Sequence, residues 1–391
     1  MPHPLQRLLF RLHWLTGITA GLVLAVVGFT GAMLGLEQPL LSLLNPAYRI
    51  AVPRDAPPLP PSALIAKAAS AHPQLSPRAV AWSGDDAPLV VQMAQPGRRR
   101  GGAAVAFDPY SGAHLPAERG RGFFAACEQW HRRLAAGDVG RRIVGASTAL
   151  LILTALTGLI LRWPRRARSA SAWLKPDFTR RGRGLLRHLH LLFGTWVLAF
   201  YLLAAFTGLW WSWDFYRNAL NRWAGVEGSL RGPPPATGAP DDPIVSADAA
   251  WAGFRAAVPD AVRATLTLTH APDLPIEVRY QTRSSPHERA FDSMRLDAAG
   301  HVLARVPYAA QPRGRRFISA LFPLHSGSFF GAPGRWAMAI ACLLMPLFAI
   351  SGVWLWFWRR HNDGRLACRA DSTAPAAGRA PDFQILQRNL R

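Results

Sequence analysis

The chain carries little charge for its length. Asp, Glu, Lys and Arg make up 17% of its 391 residues, whereas a typical soluble domain has about 25%. Half of the residues are hydrophobic. Only three cysteines are present, and the topology inferred below places no two of them in one compartment. We therefore expect neither a disulfide framework nor a cysteine metal site.

Two nucleotide-binding signatures are also absent from the sequence. No Gly-x-Gly-x-x-Gly motif follows a predicted strand, so the chain shows no nicotinamide or flavin domain. No Walker motif occurs, and we therefore do not expect the chain itself to hydrolyse a nucleotide. Any redox chemistry would have to use another cofactor and an external electron donor.

What the sequence does contain is four long apolar runs. Each has roughly 20 residues, the length that a helix needs to cross about 30 Å of hydrocarbon. None contains Asp, Glu, Lys or Arg, and a backbone inside lipid must satisfy its own hydrogen bonds. We therefore predict four transmembrane helices. The runs are Leu15–Leu36, Ile143–Leu161, Leu191–Trp211 and Trp336–Phe357.

The basic residues lie mainly beside these runs. The formal net charge is +22, and the stretch Arg162–Arg187 holds eight Arg and one Lys against a single acid, Asp177. Positive charge in short segments beside a span marks the cytoplasmic side. We predict that both termini and this loop are cytoplasmic and that the two long loops are periplasmic. Basic residues that anchor the ends of the spans explain the high positive charge of the chain, so we predict no nucleic-acid partner.

The predicted organisation alternates spans and loops. Each long loop has a helix-like segment followed by alternating strand-like stretches with Gly, Pro and Asp at the turns, which is typical of a small α+β domain. The helices are predicted near Ser62–His72 and Ser246–Val258, and a short strand at Ala113–Leu115. The segments are 1–36 (N-terminus and first span), 37–141 (first periplasmic domain), 142–163 (second span), 164–187 (basic loop), 188–213 (third span), 214–334 (second periplasmic domain), 335–358 (fourth span) and 359–391 (cytoplasmic tail).

Two histidine patterns each occur twice in the sequence, which predicts an internal duplication. In the first pattern a histidine precedes a glycine by four residues and a Thr-Gly step by seventeen. In the second it precedes two glycines, an arginine and a Thr-Gly or Ser-Gly step. The first pattern comprises His13, Gly17, Thr30 and Gly31, and again His190, Gly194, Thr207 and Gly208. The second comprises His131, Gly137, Gly140, Arg141, Thr157 and Gly158, and again His325, Gly331, Gly334, Arg335, Ser351 and Gly352.

Matched histidines on membrane helices indicate a haem protein. Neutral imidazole is an axial ligand of haem iron, and a bis-histidine haem needs one histidine from each of two facing helices. If the halves pack about a pseudo-two-fold axis, His13 meets His190 near the cytoplasmic face and His131 meets His325 near the periplasmic face. We predict two haems, bound non-covalently because no Cys-x-x-Cys-His motif occurs. Two haems stacked across the bilayer are suited to transmembrane electron transfer.

Three features of the sequence can each be interpreted in two ways. His188 competes with His190 as a ligand, although only His190 matches the spacing of His13. Arg141 and Arg335 either pair with haem propionates or anchor the spans at the boundary. The glycines of the repeats let either a macrocycle or a neighbouring helix approach the backbone.

The pattern Leu12-His13-x-x-x-Gly17, repeated as Leu189-His190-x-x-x-Gly194, resembles the helix signature of PepSY-associated transmembrane proteins. So do Gly331-x-x-Gly334-Arg335 and the late Thr-Gly or Ser-Gly steps. The two long loops resemble PepSY domains. The resemblance covers roughly residues 7–360. It implies bacterial inner-membrane proteins with haem b, several of which are ferric-siderophore reductases.

From the residues and the resemblance together we expect a membrane haem b reductase. It would take electrons from quinol or a cytoplasmic donor and pass them to a periplasmic ferric-siderophore or other anionic iron(III) chelate, releasing iron(II). The alternative is a non-enzymatic, membrane-anchored PepSY protein that binds or regulates envelope partners, in which the histidines are boundary residues. A permease is a third hypothesis, but the spans lack ionisable groups near their centres.

Overall fold

The computed structural model describes residues 4–95, 102–163, 168–226, 245, 247–270 and 273–372. Parts of the basic loop and of the tail fall outside these ranges. The helices within them are α1 Pro4–Gly35, α2 Glu37–Leu44, α3 Pro61–Ala71, α4 Arg121–Arg133, α5 Gly137–Arg162, α6 Ala170–Leu174, α7 Gly182–Ser212, α8 Asp214–Trp223, α9 Asp248–Ala257, α10 Arg313–Ser326 and α11 Gly331–Ser372. The strands are β1 Ser76–Trp82, β2 Leu89–Ala94, β3 Ala104–Phe107, β4 Ala261–Thr267, β5 Ile276–Thr282, β6 Asp292–Leu296 and β7 Val302–Val306. Short 3-10 turns occupy Pro46–Tyr48, Tyr308–Ala310 and Ser328–Phe330.

Four helices are long and apolar enough to cross a membrane, and each contains one of the predicted spans. They are α1, α5, α7 and the first part of α11, with mean hydropathies from 1.9 to 2.2 over their most apolar windows. At most a third of each window is buried inside the protein. Many of the apolar side chains therefore face outward, as expected for helices that have lipid as their solvent.

The four long helices form a bundle in which each contacts two others. Neighbouring pairs are α1 with α5, α5 with α7, α7 with α11, and α11 with α1. Helices α1 and α7 therefore lie diagonally opposite each other. Side chains that point inward from these two helices can meet in the interior of the bundle.

The contact between α1 and α11 is closest at a proline. Pro346 has no backbone N–H and cannot donate to the carbonyl of Cys342 four residues earlier. A Cβ placed on Gly28 would lie 2.8 Å from that carbonyl oxygen and 2.5 Å from the Cβ of Met345. Glycine at position 28 thus lets α1 lie directly against the segment where the hydrogen-bond ladder of α11 is interrupted.

The two long loops build one sheet instead of two separate domains. Its seven strands are antiparallel in the order β3-β2-β1-β4-β5-β6-β7. Strand β1 of the first loop pairs with β4 of the second, with Val80 opposite Leu266. This pairing satisfies the backbone groups of two strands that would otherwise be exposed edges. We call the end of the bundle that carries this sheet the sheet side.

The hydrophobic core of the sheet also combines both loops. Leu64 of α3 and Val80 belong to the first loop, and Phe254 of α9 and Tyr280 of β5 belong to the second. All four are fully buried. The backbone N–H of Ser62 donates to the carboxylate of Asp248 at 2.8 Å, which connects the first turns of α3 and α9. The two loops therefore share one core.

Most of the predicted secondary structure in the loops is present with shifted ends, but one predicted strand is nearly lost, and the described loop residues form four helices that were not predicted, α2, α4, α8 and α10. The predicted strand Ala113–Leu115 is reduced to one isolated bridge between His114 and Phe107. The segments before the second and fourth spans are regular helices, α4 and α10, which the sequence analysis did not predict. They end at residues with positive φ, Leu134 at 48° and Gly327 at 78°, and such a left-handed residue commonly ends a helix.

Candidate functional site

The structure brings His13 and His190 together inside the bundle. His13 projects from α1 and His190 from α7, the two helices on the bundle diagonal. Their ring centroids are 6.5 Å apart, and the ring planes are inclined by 82°. Phe348 of α11 packs edge-on against His190, with centroids 5.2 Å apart. We call His13 and His190 the distal pair, because they lie at the end of the bundle opposite the sheet side.

A second pair, His131 and His325, lies at the sheet side. These residues come from the last turns of the amphipathic helices α4 and α10. Their centroids are 6.1 Å apart, with an interplanar angle of 68°. Trp211 near the end of α7 packs on His325 at 5.5 Å. We call this the proximal pair.

Three of the four rings hydrogen-bond a backbone carbonyl through Nδ1. The distances are 3.0 Å from His13 to Thr154 O, 2.8 Å from His131 to Val27 O and 3.0 Å from His325 to Ala204 O. A carbonyl oxygen only accepts, so Nδ1 carries the proton in each of these rings. In a neutral imidazole Nε2 then has the free lone pair with which the ring can bind a metal.

The acceptor carbonyls occupy one repeated position. Each lies three residues before the threonine of a Thr-Gly step on the neighbouring helix. The threonine hydroxyl lies 3.3 Å from Nδ1 at His13 (Thr157), 3.5 Å at His131 (Thr30) and 3.0 Å at His325 (Thr207). The same short motif thus holds three histidines from three different helices.

His190 follows this pattern with one difference. Its Nδ1 lies 2.8 Å from the hydroxyl of Ser351, in the Ser-Gly step of α11. The hydroxyl itself donates to Phe348 O, three residues earlier, at 3.2 Å. A hydroxyl that donates in one direction can accept in another, so the Ser351 hydroxyl can accept a hydrogen bond from Nδ1 of His190.

The glycine of each step receives the imidazole ring. A Cβ built on the glycine would lie 2.8 Å from Cε1 of His131 at Gly31, 3.0 Å from Cε1 of His13 at Gly158 and 3.2 Å from Cε1 of His325 at Gly208. At Gly352 the distance to His190 is 3.9 Å, an ordinary contact. These glycines therefore admit a histidine ring, a use that the sequence analysis had not considered beside helix packing and haem clearance.

Burial keeps the proximal pair neutral at physiological pH. Desolvation lowers the pKa of His131, and desolvation together with the neighbouring His131 lowers the pKa of His325 to about 4. Neutral imidazole is the form that binds iron. The electrostatics of this pair therefore suit a metal ligand better than a charged boundary residue.

The pairs supply too few ligands for a bare metal ion. Within the described ranges, no group of three or more His, Cys, Asp or Glu side chains is placed to hold one. Two axial nitrogens are sufficient for haem, because the macrocycle supplies the other four. With metal–nitrogen bonds of about 2 Å, two axial imidazoles have centroids roughly 6.4 Å apart. Edge-to-face packing of two rings without a metal gives a similar separation, and the visible spectrum of the protein distinguishes haem ligation from packing.

The remaining candidate residues contact other groups. Nε2 of His188 accepts from the backbone N–H of Asp177 at 3.0 Å, in the cytoplasmic loop of the predicted topology. Arg141 donates to Ser212 O at 3.1 Å and pairs with Asp214 at 3.2 Å. Arg335 pairs with Glu288 at 3.4 Å. The two arginines connect their helices to neighbouring segments, and their interaction with propionates stays a prediction.

The residues that support the rings were not predicted from the sequence. Thr157, Thr207 and Ser351 were noted as parts of repeats but received no role. The backbone acceptors of Val27 and Ala204 leave no trace in the side-chain pattern. A usable signal did exist, since a Thr-Gly or Ser-Gly step occurs late in each of the four spans, one for each paired histidine.

Comparison with known proteins identifies the family. The family described as the PepSY-associated TM region matches residues 10–360. An uncharacterised protein of Pseudomonas aeruginosa is 33% identical over 258 residues, which cover 59% of this chain and 62% of the relative. The chain thus spans less than two thirds of the length of that curated relative. The match to the family covers all four long helices, the sheet and both histidine pairs, and the chain belongs to the PepSY-associated TM family.

Proposed function

We propose that the protein binds two haem b groups, one between His13 and His190 and one between His131 and His325. The single observation that carries this proposal is the convergence of four histidines into two pairs with centroids 6.5 and 6.1 Å apart. Bound haem would supply reversible one-electron chemistry at iron. The protein would hold each iron through Nε2 and orient each ring through Nδ1.

The spacing of the pairs supports electron transfer along the bundle. On α1, seventeen residues separate His13 from Thr30, which supports His131, and the same number separates His190 from Thr207 on α7. Seventeen residues of helix rise about 25 Å. The pairs therefore lie near opposite ends of the apolar segment, where one site can receive electrons and the other can deliver them.

We further propose an orientation and an origin for the molecule. Four apolar helices and a basic loop between the second and third indicate an inner membrane protein with both termini cytoplasmic and the sheet periplasmic. Equivalent histidines held by equivalent steps support an internal duplication. In this orientation the distal pair faces the cytoplasm and the proximal pair faces the periplasm.

The reaction that fits this arrangement is reduction of a periplasmic iron(III) complex. Electrons from quinol or a cytoplasmic donor would enter at the distal pair and leave from the proximal pair. One electron converts chelated iron(III) to iron(II), which a siderophore or similar anionic chelate holds more weakly. Electron transfer between metal centres needs no general acid or base, so the protein contributes axial ligands, orientation and a tuned potential.

The visible spectrum of the purified protein tests the proposal. After expression with ample haem, we expect sharp absorption bands on reduction and two non-covalent haems per chain. His13→Ala and His190→Ala should each remove the same haem, and His131→Ala and His325→Ala the other. His188→Ala is the matched control, because this ring already accepts from Asp177, and it should retain both haems.

Colourless protein from haem-replete cells would refute haem binding and favour the membrane-anchored PepSY protein without redox activity. Four single variants that all keep full haem content would refute the ligand assignment. For the reaction itself, reduced protein in vesicles should be reoxidised by an external ferric siderophore. If the reduced spectrum persists, the chelate is not the acceptor.

A further inference from the structure

Among the paired rings, His190 differs in the group that accepts its Nδ1 proton. His13, His131 and His325 each donate to a backbone carbonyl, which remains in place whatever side chain the residue carries. His190 donates to the hydroxyl of Ser351 at 2.8 Å. The proton position of His190 therefore depends on one side chain.

The hydrogen bond on Nδ1 affects the properties of the metal-binding nitrogen. An acceptor for Nδ1–H fixes the tautomer and the ring orientation, and it increases the basicity of Nε2. A more basic axial ligand stabilises the oxidised iron more than the reduced iron, so it lowers the reduction potential. Removal of the acceptor should raise the potential.

We propose that Ser351 is the positioning residue of the distal site: it holds the proton of His190 on Nδ1 and lowers the reduction potential of the iron bound there. Thr157, which holds the equivalent place beside His13, has a smaller effect, because the carbonyl of Thr154 remains after its hydroxyl is removed. The part that concerns the potential rests on the proposed haem function; the part that concerns the proton does not.

The surroundings of His190 restrict what can replace the serine. Phe348 packs perpendicular to the ring at 5.2 Å, and it also contacts Tyr201. This packing holds the imidazole plane. The Phe348 carbonyl corresponds to the acceptors of the other three rings, and like them it accepts from the hydroxyl three residues later. What differs is the partner of the ring, because Nδ1 of His190 hydrogen-bonds the Ser351 hydroxyl at 2.8 Å.

The first test uses haem-free protein, so it does not depend on the proposed function. Protein expressed under haem limitation is labelled with ¹⁵N-histidine, and NMR reports which ring nitrogen carries the proton. We expect His190 to be protonated on Nδ1 in the unmodified protein and to become a mixture of tautomers in Ser351→Ala. Ser351→Thr should restore the Nδ1–H form, and Thr157→Ala should leave His13 unchanged. An unchanged His190 signal in Ser351→Ala would overturn the inference.

The second test is a spectroelectrochemical titration of the haem-loaded protein. Ser351→Ala should raise the midpoint potential of one haem by about 59 mV, which is a tenfold change in the ratio of reduced to oxidised iron for one electron. The other haem should keep its potential. Thr157→Ala should shift the same haem much less, and Ser351→Thr should return it toward the original value. Equal shifts of the potential in Ser351→Ala and Thr157→Ala would overturn the role assigned to Ser351. Protein that takes up no haem would refute the proposed function, and the NMR experiment would still decide where the proton of His190 lies.

Discussion

A glycine that follows the supporting Thr or Ser brings each paired histidine against the backbone of a neighbouring helix. Around His13 the space left by Gly158 is tight, with 3.0 Å between the hypothetical Cβ and Cε1. Around His190 the space left by Gly352 is wider, at 3.9 Å. Gly158 and Gly352 thus hold equivalent positions beside the distal pair, but only the position of Gly352 has room for a methyl group.

We expect Gly158→Ala to displace the His13 ring and Gly352→Ala to leave His190 in place. Changes around a metal ligand typically weaken metal binding 10- to 100-fold, so haem retention at the distal site should fall by about tenfold in Gly158→Ala alone. Transfer of haem to apomyoglobin, measured for both variants, provides the comparison. Equal retention in the two variants would show that the 3.0 Å contact is relieved without moving the ring.

Gly17 offers a separate test of where a macrocycle lies. It is four residues after His13, on the same helix face, and a Cβ there would meet nothing within 4 Å. Because alanine is a better helix former than glycine by about 1 kcal/mol, Gly17→Ala should keep or raise the Tm of haem-free protein. We expect the same change to lower the haem content of the distal site, since a macrocycle held between the two rings, as proposed, would extend over this face.

The control for this prediction is Gly122→Ala in α4, where a Cβ also meets nothing within 4 Å. It lies nine residues before His131, so it should keep or raise the Tm in the same way as Gly17→Ala and leave the haem content unchanged. Full haem content in Gly17→Ala would place the macrocycle elsewhere.

At this scale the sequence predicted which histidines meet but not what holds them. The matched spacing of His13 and His190 predicts a pair because equivalent residues would occupy equivalent places in two halves related by the predicted duplication. The supports are mostly carbonyl oxygens of Val27, Thr154 and Ala204, and every residue has a carbonyl. Only the three-dimensional path of the helices selects which of them accepts a proton.

The contact of α1 with α11 leaves no room for a larger side chain at one position. Gly28 lies against Met345 and the carbonyl of Cys342, which Pro346 leaves without its helical donor. Gly21 on the same helix faces Ala349 at an ordinary 3.5 Å. The close contact is therefore confined to the segment beside the proline.

We expect Gly28→Ala to destabilise the bundle by about 1–3 kcal/mol, the usual cost of overpacking, because neither the backbone oxygen nor the Met345 Cβ can move away freely. Gly21→Ala should change the free energy of unfolding by much less. Thermal or SDS-induced unfolding in matched detergent measures both variants. Equal stabilities would indicate that α11 bends further at Pro346 and absorbs the methyl group.

The long helices were predictable from hydropathy, because an apolar run of 20 residues has few alternatives. Helices α4 and α10 were not predicted, because both are short, at 13 and 14 residues, and the second contains Pro323. They are stabilised by packing against the long helices: His131 and His325 from their last turns contact α1 and α7. Helix formation there depends on tertiary contacts, which a local pattern does not contain.

At the scale of the whole molecule, the bundle ends on the sheet side in one seven-stranded sheet. Both long loops contribute strands to this sheet. Phe254 of the second loop is fully buried in a core that also contains Leu64 and Val80 of the first. Since the core is shared, the two loops should unfold together.

We expect Phe254→Ala to destabilise the sheet by about 3–5 kcal/mol and to speed amide hydrogen exchange in β1 and β2 as well as in β4 and β5. Hydrogen exchange followed by mass spectrometry resolves the two loops. Val302→Ala on the edge strand β7, where the side chain is 46% exposed, is the control and should leave exchange unchanged in β1. Faster exchange confined to the second loop in Phe254→Ala would show that the loops are independent units.

The sequence predicted related loops with similar helices and strands, and it did not predict that they join. Alternation of apolar and polar residues identifies a strand and its buried face, but it does not identify the strand beside it. The pairing of Val80 with Leu266 is set by the bundle, which carries both loops at the same end. The fourth strand predicted in the first loop, Ala113–Leu115, forms only the isolated bridge at His114.

Helices α1 and α7 each take part in both histidine pairs. Each provides a ring at one end and, fourteen residues later, the carbonyl that orients a ring at the other. One inserted residue would rotate everything beyond it by about 100° around the helix axis, so it would turn one of the two contacts out of the interior. The number of residues in two uninterrupted helices therefore fixes the distance between the two histidine pairs. We expect differences in length between relatives to occur only in the connecting loops.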